Sequence, residues 1–240
     1  MIRFVHVGKT GGSAVKAALK QNGYAYFRKG DPERATPTAY GRVMLPRAHG
    51  VTVADVPPGD HTFFFVRDPI SRFVSGFYSR LRKGQPRYNV EWKPDERVAF
   101  EAFPTPLKLA RALVSDDPSE RQSAEAAMEA ILHLRPMGRW TGTPDELRER
   151  GDQILYVGKQ ETLGADWENL KRILELPRQL ELPTDPVTAH RRDQAGEEPL
   201  DEEAVEVLRD WYRRDYELVE YCDQLRAERG WSPAGERSSA

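Results

Sequence analysis

Residues 8–13, close to the start of the chain, read Gly-Lys-Thr-Gly-Gly-Ser and combine glycines with a lysine and two hydroxyl side chains. Glycines let several backbone N–H groups converge on one point, and the N-terminus of a following helix adds partial positive charge there. A lysine adds a full positive charge, and the hydroxyl groups add hydrogen-bond donors. The stretch therefore predicts a phosphate site built by Lys9, Thr10, Gly11, Gly12 and Ser13.

This stretch matches only the end of a Walker A loop, G-x-x-x-x-G-K-[ST]. Gly8, Lys9 and Thr10 match its last three residues, but position 3, where the first glycine belongs, holds Arg3. The short loop counts against an ordinary P-loop ATPase or kinase. The alternative is a purely structural role, as a tight strand-to-helix turn that needs glycine and holds no ligand.

A second group of anion-binding side chains follows another apolar run. Residues 63–66, Phe-Phe-Phe-Val, have the composition of a central parallel strand, and Arg67 comes directly after them. Asp68 and Pro69 suit the cap and the first residue of a helix that carries Ser75. Parallel strands end at one edge of a sheet, where ligands bind. The two groups therefore predict one ligand with phosphate at two positions.

The elements that must hold these groups follow from hydrophobic spacing. Residues 2–7 and 154–157 read as buried strands, and helical spacing covers 69–81 and 201–222. The 23–46 segment reads as an irregular connection in which 43–45 is a candidate short strand or turn, and 84–97 reads as a long surface loop. We therefore expect an α/β fold with a mostly parallel central sheet flanked by helices, and a single domain over 1–240.

Composition narrows the functional class. Lys and Arg number 36 against 38 Asp and Glu, a formal charge of −2 that gives no basic field for nucleic acid. The single cysteine, Cys222, rules out an internal disulfide and a cysteine-built metal site. No apolar run reaches membrane length, and we expect no signal peptide, because the sequence opens directly in the first predicted strand. The expected location is the cytoplasm.

The pair of motifs resembles one known family. Residues 6–13, His-Val-Gly-Lys-Thr-Gly-Gly-Ser, are similar to the 5′-phosphosulfate loop of sulfotransferases that use 3′-phosphoadenosine 5′-phosphosulfate (PAPS). Residues 66–76 are similar to their 3′-phosphate motif. The resemblance is closest to the branch with carbohydrate sulfotransferases such as heparan sulfate 2-O-sulfotransferase. It extends through 156–161 and the region of 215–216.

The resemblance implies a P-loop-like sulfotransferase fold and transfer of a sulfuryl group from PAPS to an acceptor hydroxyl, with a carbohydrate as one candidate acceptor. Lys9 and the rest of 9–13 would hold the 5′-phosphosulfate, and Arg67 and Ser75 the 3′-phosphate. No metal is expected, because Lys9 and Arg67 supply the charge. Two features depart from the family pattern. Gly8 replaces a frequent proline, and the late Gly-rich motif of cytosolic sulfotransferases is missing. The 183–199 segment is a candidate for that role.

A general base must take the acceptor's proton, and histidine suits that task near pH 7. Among five histidines, His49 is the best candidate, because relatives place a His-containing segment near the acceptor. The equal alternative is that His49 is only a hydrogen-bonded loop histidine, in which case His133 or a carboxylate would have to act as the base. Arg47 and Arg72 are candidates for an anionic acceptor, although exposed arginines are usually only solvated.

Two other functions stay open at this point. A P-loop nucleotide kinase would need a complete Walker A loop and a Mg²⁺-binding carboxylate. A non-catalytic module would bind the nucleotide and present a surface to a partner without turnover.

Overall fold

Four of the five described strands lie within the first 66 residues of the computed structural model, which describes residues 1–27, 29–46, 49–185 and 198–231. The strands are β1 Ile2–Val5, β2 Ala25–Phe27, β3 Val43–Leu45, β4 His61–Val66 and β5 Ile154–Lys159. The helices are α1 Gly12–Gln21, α2 Pro69–Leu81, α3 Pro94–Ala102, α4 Pro106–Ala112, α5 Pro118–Ala130, α6 Gly138–Thr141, α7 Pro144–Glu149, α8 Leu163–Leu174, α9 Glu202–Trp211 and α10 Arg213–Glu228. Short 3₁₀ turns lie at Pro32–Arg34, Leu132–Leu134 and Gly151–Gln153.

The described residues fall into two compact units. Unit 1 comprises 1–67, 137–185 and 217–231 and contains all five strands of the described chain. Unit 2 comprises 68–136 and 198–216 and contains α2 to α5 and α9. The prediction of a single domain over 1–240 stays a prediction. No helix in the described ranges is long and apolar enough to cross a membrane.

The sheet of unit 1 confirms the predicted α/β fold. Its strand order is β2-β3-β1-β4-β5, and every neighbouring pair is parallel. Strand β1 runs beside β4 in the register Ile2↔His61 to Val5↔Phe64. The chain segments that follow these two strands therefore leave the sheet side by side, at the point where the strand order reverses.

Burial explains why β1 and β4 lie at the centre of the sheet. Residues 63–66 are completely buried, and so are Ile2 and Val5. Rings stack across the two strands, with the Phe4 and Phe63 centroids 4.8 Å apart. Strands buried on both faces need continuous apolar runs, and these two sequences provide them.

Unit 2 packs its helices around an aromatic and aliphatic core. Phe73 and Phe77 of α2 contribute one face of that core, and Leu208 of α9 is buried with them. The cap of α2 is as predicted, because Asp68 accepts the Ser71 N–H at 2.7 Å and Pro69 occupies the first turn. Apolar residues at helical spacing thus bury one side of each helix.

Two predicted elements differ from the structure. The 23–46 segment is not wholly irregular: it contains β3 at 43–45, where a short strand or turn was predicted, and also β2 and a 3₁₀ turn, which are too short to show a clear period. The predicted helix over 201–222 is interrupted between Trp211 and Arg213. Tyr212 at that break is buried, and its hydroxyl donates to the Leu134 carbonyl, so tertiary packing interrupts a sequence with continuous helical spacing.

The 84–97 segment is also more ordered than predicted. Its last residues form the start of α3, and Arg80 fixes the preceding loop. The Arg80 guanidinium donates two 2.7 Å hydrogen bonds to the buried Glu96 carboxylate and one of 3.3 Å to the Val90 carbonyl. Burial acts to raise the pKa of Glu96, but hydrogen bonds from Arg80 and the Lys93 N–H outweigh it and lower that pKa.

Loss of Arg80 would leave a buried, uncompensated carboxylate. We expect Arg80→Met to lower the free energy of unfolding by about 3–5 kcal/mol at pH 7, measured by urea denaturation. The pKa of Glu96 is lower in the folded chain, so the stabilisation exists above about pH 4.5 and disappears as the pH falls through the folded-state value.

Two controls accompany this variant. Arg80→Met/Glu96→Leu should regain much of the loss, because no unpaired charge remains. Arg209→Met removes an exposed ion pair to Glu206 and should change stability by less than about 1 kcal/mol. Equal effects of Arg80→Met and Arg209→Met would contradict the role given to the buried pair.

Candidate active site

The loop after β1 has the geometry of an anion cradle. Gly11 caps α1 in the left-handed conformation, with φ of +82°. No side chain caps this helix, and its first turn contains no acidic residue. The backbone N–H groups at the start of α1 are therefore open to an external acceptor, and the helix dipole favours an anion. A loop of this form fits a phosphate or phosphosulfate group.

Arg67, directly after β4, contacts the loop after β1 within unit 1. Its Nη1 donates to the Lys9 carbonyl at 3.2 Å. Lys9 has a φ of +70°, a left-handed conformation that costs a residue with a Cβ about 1–2 kcal/mol. The contact holds this strained residue, and the lysine and arginine side chains are both only half-buried. The structure thus brings Lys9 and Arg67 together at the ends of β1 and β4.

The two hydroxyl side chains of the loop differ in their burial and their contacts. The Thr10 hydroxyl donates to the Val7 carbonyl at 2.9 Å and is buried, so its side chain holds the loop closed. Any contact of Thr10 with a ligand would come from its backbone. Ser13 is half-buried in the first turn of α1 and keeps its hydroxyl at the helix N-terminus.

The turn between β5 and α8 packs against the loop after β1 through Leu163. A Cβ on Gly11 would come 2.8 Å from a methyl group of Leu163, the first residue of α8, and the left-handed φ of Gly11 adds backbone strain to any side chain there. Asp166 holds the turn by accepting the Lys159 N–H at 3.1 Å and the Arg226 Nη1 at 2.7 Å. Burial, followed by the nearby Asp166 charge, raises the pKa of Tyr156, which also donates to Asp166.

His49 lies next to the strand that carries the loop. Its Nδ1 is 2.8 Å from the His6 carbonyl oxygen, and its ring centroid is 4.5 Å from that of His6. A carbonyl oxygen only accepts, so Nδ1 must carry the proton and donate it. In the neutral imidazole the lone pair then belongs to Nε2. This is the tautomer that a general base acting through Nε2 requires.

His6 connects His49 to the start of α1. It is 7% exposed, and a Cβ on Gly12 would come 2.4 Å from its Cδ2. The imidazole of His6 thus lies directly against the first residue of the helix. Gly12 is needed because its missing side chain lets this ring approach. The order of contacts runs from the loop through His6 to His49.

Unit 2 contains the other residues that the sequence singled out. Ser75 is buried on α2, 8% exposed, and Asp68 caps the same helix. Tyr216 donates to the second oxygen of Asp68 at 3.3 Å, and burial raises the pKa of Tyr216 to about 12. The 3₁₀ turn that carries His133 packs its backbone against Gly76.

Arg72 cannot hold an anionic acceptor in this structure, because it is completely buried. Its Nη2 donates to the Arg135 carbonyl at 2.7 Å, and its Nη1 lies 4.0 Å from the Asp215 carboxylate. Burial lowers its pKa, against the Asp215 charge that raises it. Arg72 therefore joins α2 to the rest of unit 2. The other candidate, Arg47, and positions 186–197 of the predicted 183–199 loop lie outside the described residues.

Comparison with known proteins decides the family. The model of the Sulfotransferase family matches residues 2–222 of the 240. The chain belongs to the sulfotransferase family. A search of curated proteins found no match.

Family membership confirms the predicted resemblance at the level of the family and makes the protein a transferase of sulfuryl groups. The match does not identify the branch of the family, so the predicted resemblance to carbohydrate sulfotransferases stays a prediction. The matched range includes β1 to β5 and the loop after β1, so the sulfotransferase region contains the cradle, Arg67 and His49. In the described residues, no group of three or more His, Cys, Asp or Glu side chains is placed to hold a metal ion.

Sequence reasoning missed three residues that support this candidate site. Trp140 donates its indole N–H to the His49 carbonyl, Leu163 contacts Gly11, and Asp166 organises the turn after β5. Trp140 is 91 positions from its partner, so no local pattern could reveal the pair. Asp166 had a weak signal, as an acidic residue in the first turn of a helix.

A side chain at Gly12 should disturb the sulfotransferase fold locally. We expect Gly12→Ala to lower the free energy of unfolding by about 1–3 kcal/mol, because the new Cβ overlaps His6 and also lies 3.0 Å from Phe4. Gly164→Ala is the control, since Gly164 occupies the start of α8 with open space around it. It should be neutral or stabilising by up to about 1 kcal/mol. Equal denaturation curves for both variants would contradict this packing.

Proposed function

We propose that this protein is an O-sulfotransferase that takes its sulfuryl group from PAPS. The observation that carries the proposal is the junction of Lys9 and Arg67 at the ends of two neighbouring parallel strands, in a chain of the sulfotransferase family. Lys9, Thr10, Gly11, Gly12 and Ser13 are the proposed ligands of the 5′-phosphosulfate. Arg67 and Ser75 are the proposed ligands of the 3′-phosphate, the serine on the resemblance alone.

The residues present fit such a donor. Gly11 and Gly12 let Leu163 and His6 pack directly against the loop, and the left-handed Gly11 turns the backbone into the start of α1. The uncapped start of α1 supplies N–H donors, and Lys9 supplies a charge that a phosphosulfate would need. Donors of this kind bind anionic oxygen through charge-assisted hydrogen bonds.

The chemistry needs fixed positive charge at the leaving oxygen. PAPS supplies an activated sulfuryl group whose phosphate leaves as the acceptor oxygen attacks in line. Lys9 and the backbone N–H groups of 11–13 would stabilise the charge that grows on the bridging oxygen. A preorganised set of donors acts mainly on the transition state, because its geometry is already fixed by the loop and by Arg67.

His49 is the proposed general base. The bond from Nδ1 to the His6 carbonyl leaves the lone pair on Nε2, which can accept the proton of an attacking hydroxyl. Neutral imidazole near pH 7 suits this role. The His6 carbonyl orients the His49 imidazole, in the way that a third group orients the base in a catalytic triad.

The acceptor is a hydroxyl compound, as the family implies, and a carbohydrate is our candidate. The cytoplasmic location and the absence of nucleic acid and metal requirements stay predictions. A screen of glycans, small alcohols and phenols against labelled PAPS identifies the acceptor class. Transfer that survives EDTA would separate this reaction from that of a magnesium-dependent kinase.

The 3′-phosphate should dominate nucleotide recognition. We expect 3′-phosphoadenosine 5′-phosphate to bind more tightly than AMP or ADP by about 1.5–3 kcal/mol, roughly 10- to 150-fold, because charge-assisted contacts to the extra phosphate are strong. Isothermal calorimetry measures all three ligands. Ser75→Ala should reduce the preference, and Ser79→Ala, a buried serine one turn later on α2, should keep it. Equal affinity for the three nucleotides would overturn the assignment.

Lys9 should act mainly in the transition state. We expect Lys9→Ala to lower kcat by about 10²–10³-fold, and the affinity for 3′-phosphoadenosine 5′-phosphate by less than about tenfold. Lys20→Ala, at an exposed lysine in the last turn of α1, should match the parent. An unchanged kcat in Lys9→Ala would limit this residue to a binding or structural role.

His49 should act on the chemical step and not on donor binding. We expect His49→Ala to reduce turnover by about 10²–10⁴-fold while nucleotide affinity stays within about twofold. The kcat of the parent should fall as acid protonates the imidazole, and the variant should lack this dependence on pH. His61→Ala, a half-buried histidine at the start of β4, is the control. Full turnover in His49→Ala would transfer the role to another group.

A further inference from the structure

We propose that Trp140 is a positioning residue that holds His49 in place as a base, an inference that rests on the proposed function. His49 lies in the segment between β3 and β4, outside every helix and strand. Sheet hydrogen bonds therefore do not fix its backbone. A base must be held within a fraction of an ångström of its working position, so some other group has to do so.

Trp140 binds both ends of the short segment that begins at His49. Its indole Nε1 donates to the His49 carbonyl at 2.9 Å, and its own carbonyl accepts the Val53 N–H at 2.8 Å. The side chain is 2% exposed, and its ring meets the His49 ring edge-on at 5.8 Å between centroids. One rigid, buried residue thus fixes the backbone of 49–53 at two points.

The side chain of His49 depends on that backbone position. Its Nδ1 reaches the His6 carbonyl at 2.8 Å only while its own Cα stays in place. Trp140 thus fixes the main chain, and His6 then fixes the ring and its tautomer. If the indole N–H is lost, the backbone is released at His49, and the bond that keeps the proton on Nδ1 should weaken.

A purely structural role for Trp140 is the competing interpretation, because most buried tryptophans serve only in packing. Trp167 provides a matched control for it. This second tryptophan of unit 1 is 1% exposed, and its Nε1 donates to the Leu180 carbonyl at 2.8 Å. Its substitution removes the same kind of hydrogen bond from the same kind of environment but leaves His49 untouched.

The kinetic test compares Trp140→Phe with Trp167→Phe, using labelled PAPS and the acceptor that the parent uses best. We expect kcat to fall about tenfold in Trp140→Phe, with affinity for 3′-phosphoadenosine 5′-phosphate within about twofold of the parent. Trp167→Phe should keep kcat within about twofold. In a His49→Ala background, Trp140→Phe should cause no further loss, because the two residues act as a unit. Equal kcat effects of the two Phe variants, or full additivity with His49→Ala, would overturn the proposal.

A spectroscopic test does not need activity. In ¹⁵N-histidine-labelled protein, neutral His49 should show a protonated Nδ1 and an unprotonated Nε2 in the parent and in Trp167→Phe. In Trp140→Phe we expect a mixture of tautomers. A single Nδ1–H tautomer retained in that variant would contradict the role of Trp140. If the Phe variant does not fold, the benzothiophene analogue of tryptophan at position 140 removes only the N–H and gives the same readouts.

The two proposals fail in different ways. If the parent transfers no sulfuryl group to any acceptor, the proposed function fails, and the tautomer measurement still decides whether Trp140 positions His49. If the parent is active and Trp140→Phe behaves as Trp167→Phe does, the proposed function stands and the positioning role is wrong.

Discussion

The parallel pairing of β1 with β4 is the constraint on which the candidate site depends. Because the two strands run in register from Ile2↔His61 to Val5↔Phe64, the loop after one and Arg67 after the other leave the same edge of the sheet. The hydrogen bond from Arg67 to the Lys9 carbonyl then holds a lysine in a left-handed conformation. Strain of this kind persists only where its surroundings support it, and it concentrates at functional sites.

From that edge the site extends through contacts between side chains and backbone. His6, the residue after β1, lies against Gly12 and offers its carbonyl to His49, and Trp140 holds the backbone of His49. On the other side, Asp166 fixes the turn that supports Gly11 through Leu163. Much of this arrangement consists of hydrogen bonds to main-chain carbonyls. Its geometry therefore belongs to the fold, and the charged side chains at the cradle supply the chemistry.

The sequence predicted the parts of this site that depend on local patterns. The glycine-bearing loop, the apolar strands and the Asp68 cap each have a signature within a few residues, and the structure places them as expected. The interruption at Tyr212, the burial of Arg72 and the Trp140–His49 contact depend on residues far apart in the chain. Periodicity and spacing contain no information about such contacts. The sequence therefore predicted a continuous helix and an arginine able to contact an acceptor, whereas long-range packing interrupts the helix and buries the arginine.

The central claim is that the chain moves a sulfuryl group from PAPS to a hydroxyl. The most direct measurement incubates the protein with PAPS labelled in its sulfuryl group and a panel of glycans, alcohols and phenols, with EDTA present. The account predicts that label appears on at least one acceptor and that 3′-phosphoadenosine 5′-phosphate forms in equal amount. Tight binding of that nucleotide with no transfer to any acceptor would contradict it and indicate a non-catalytic module.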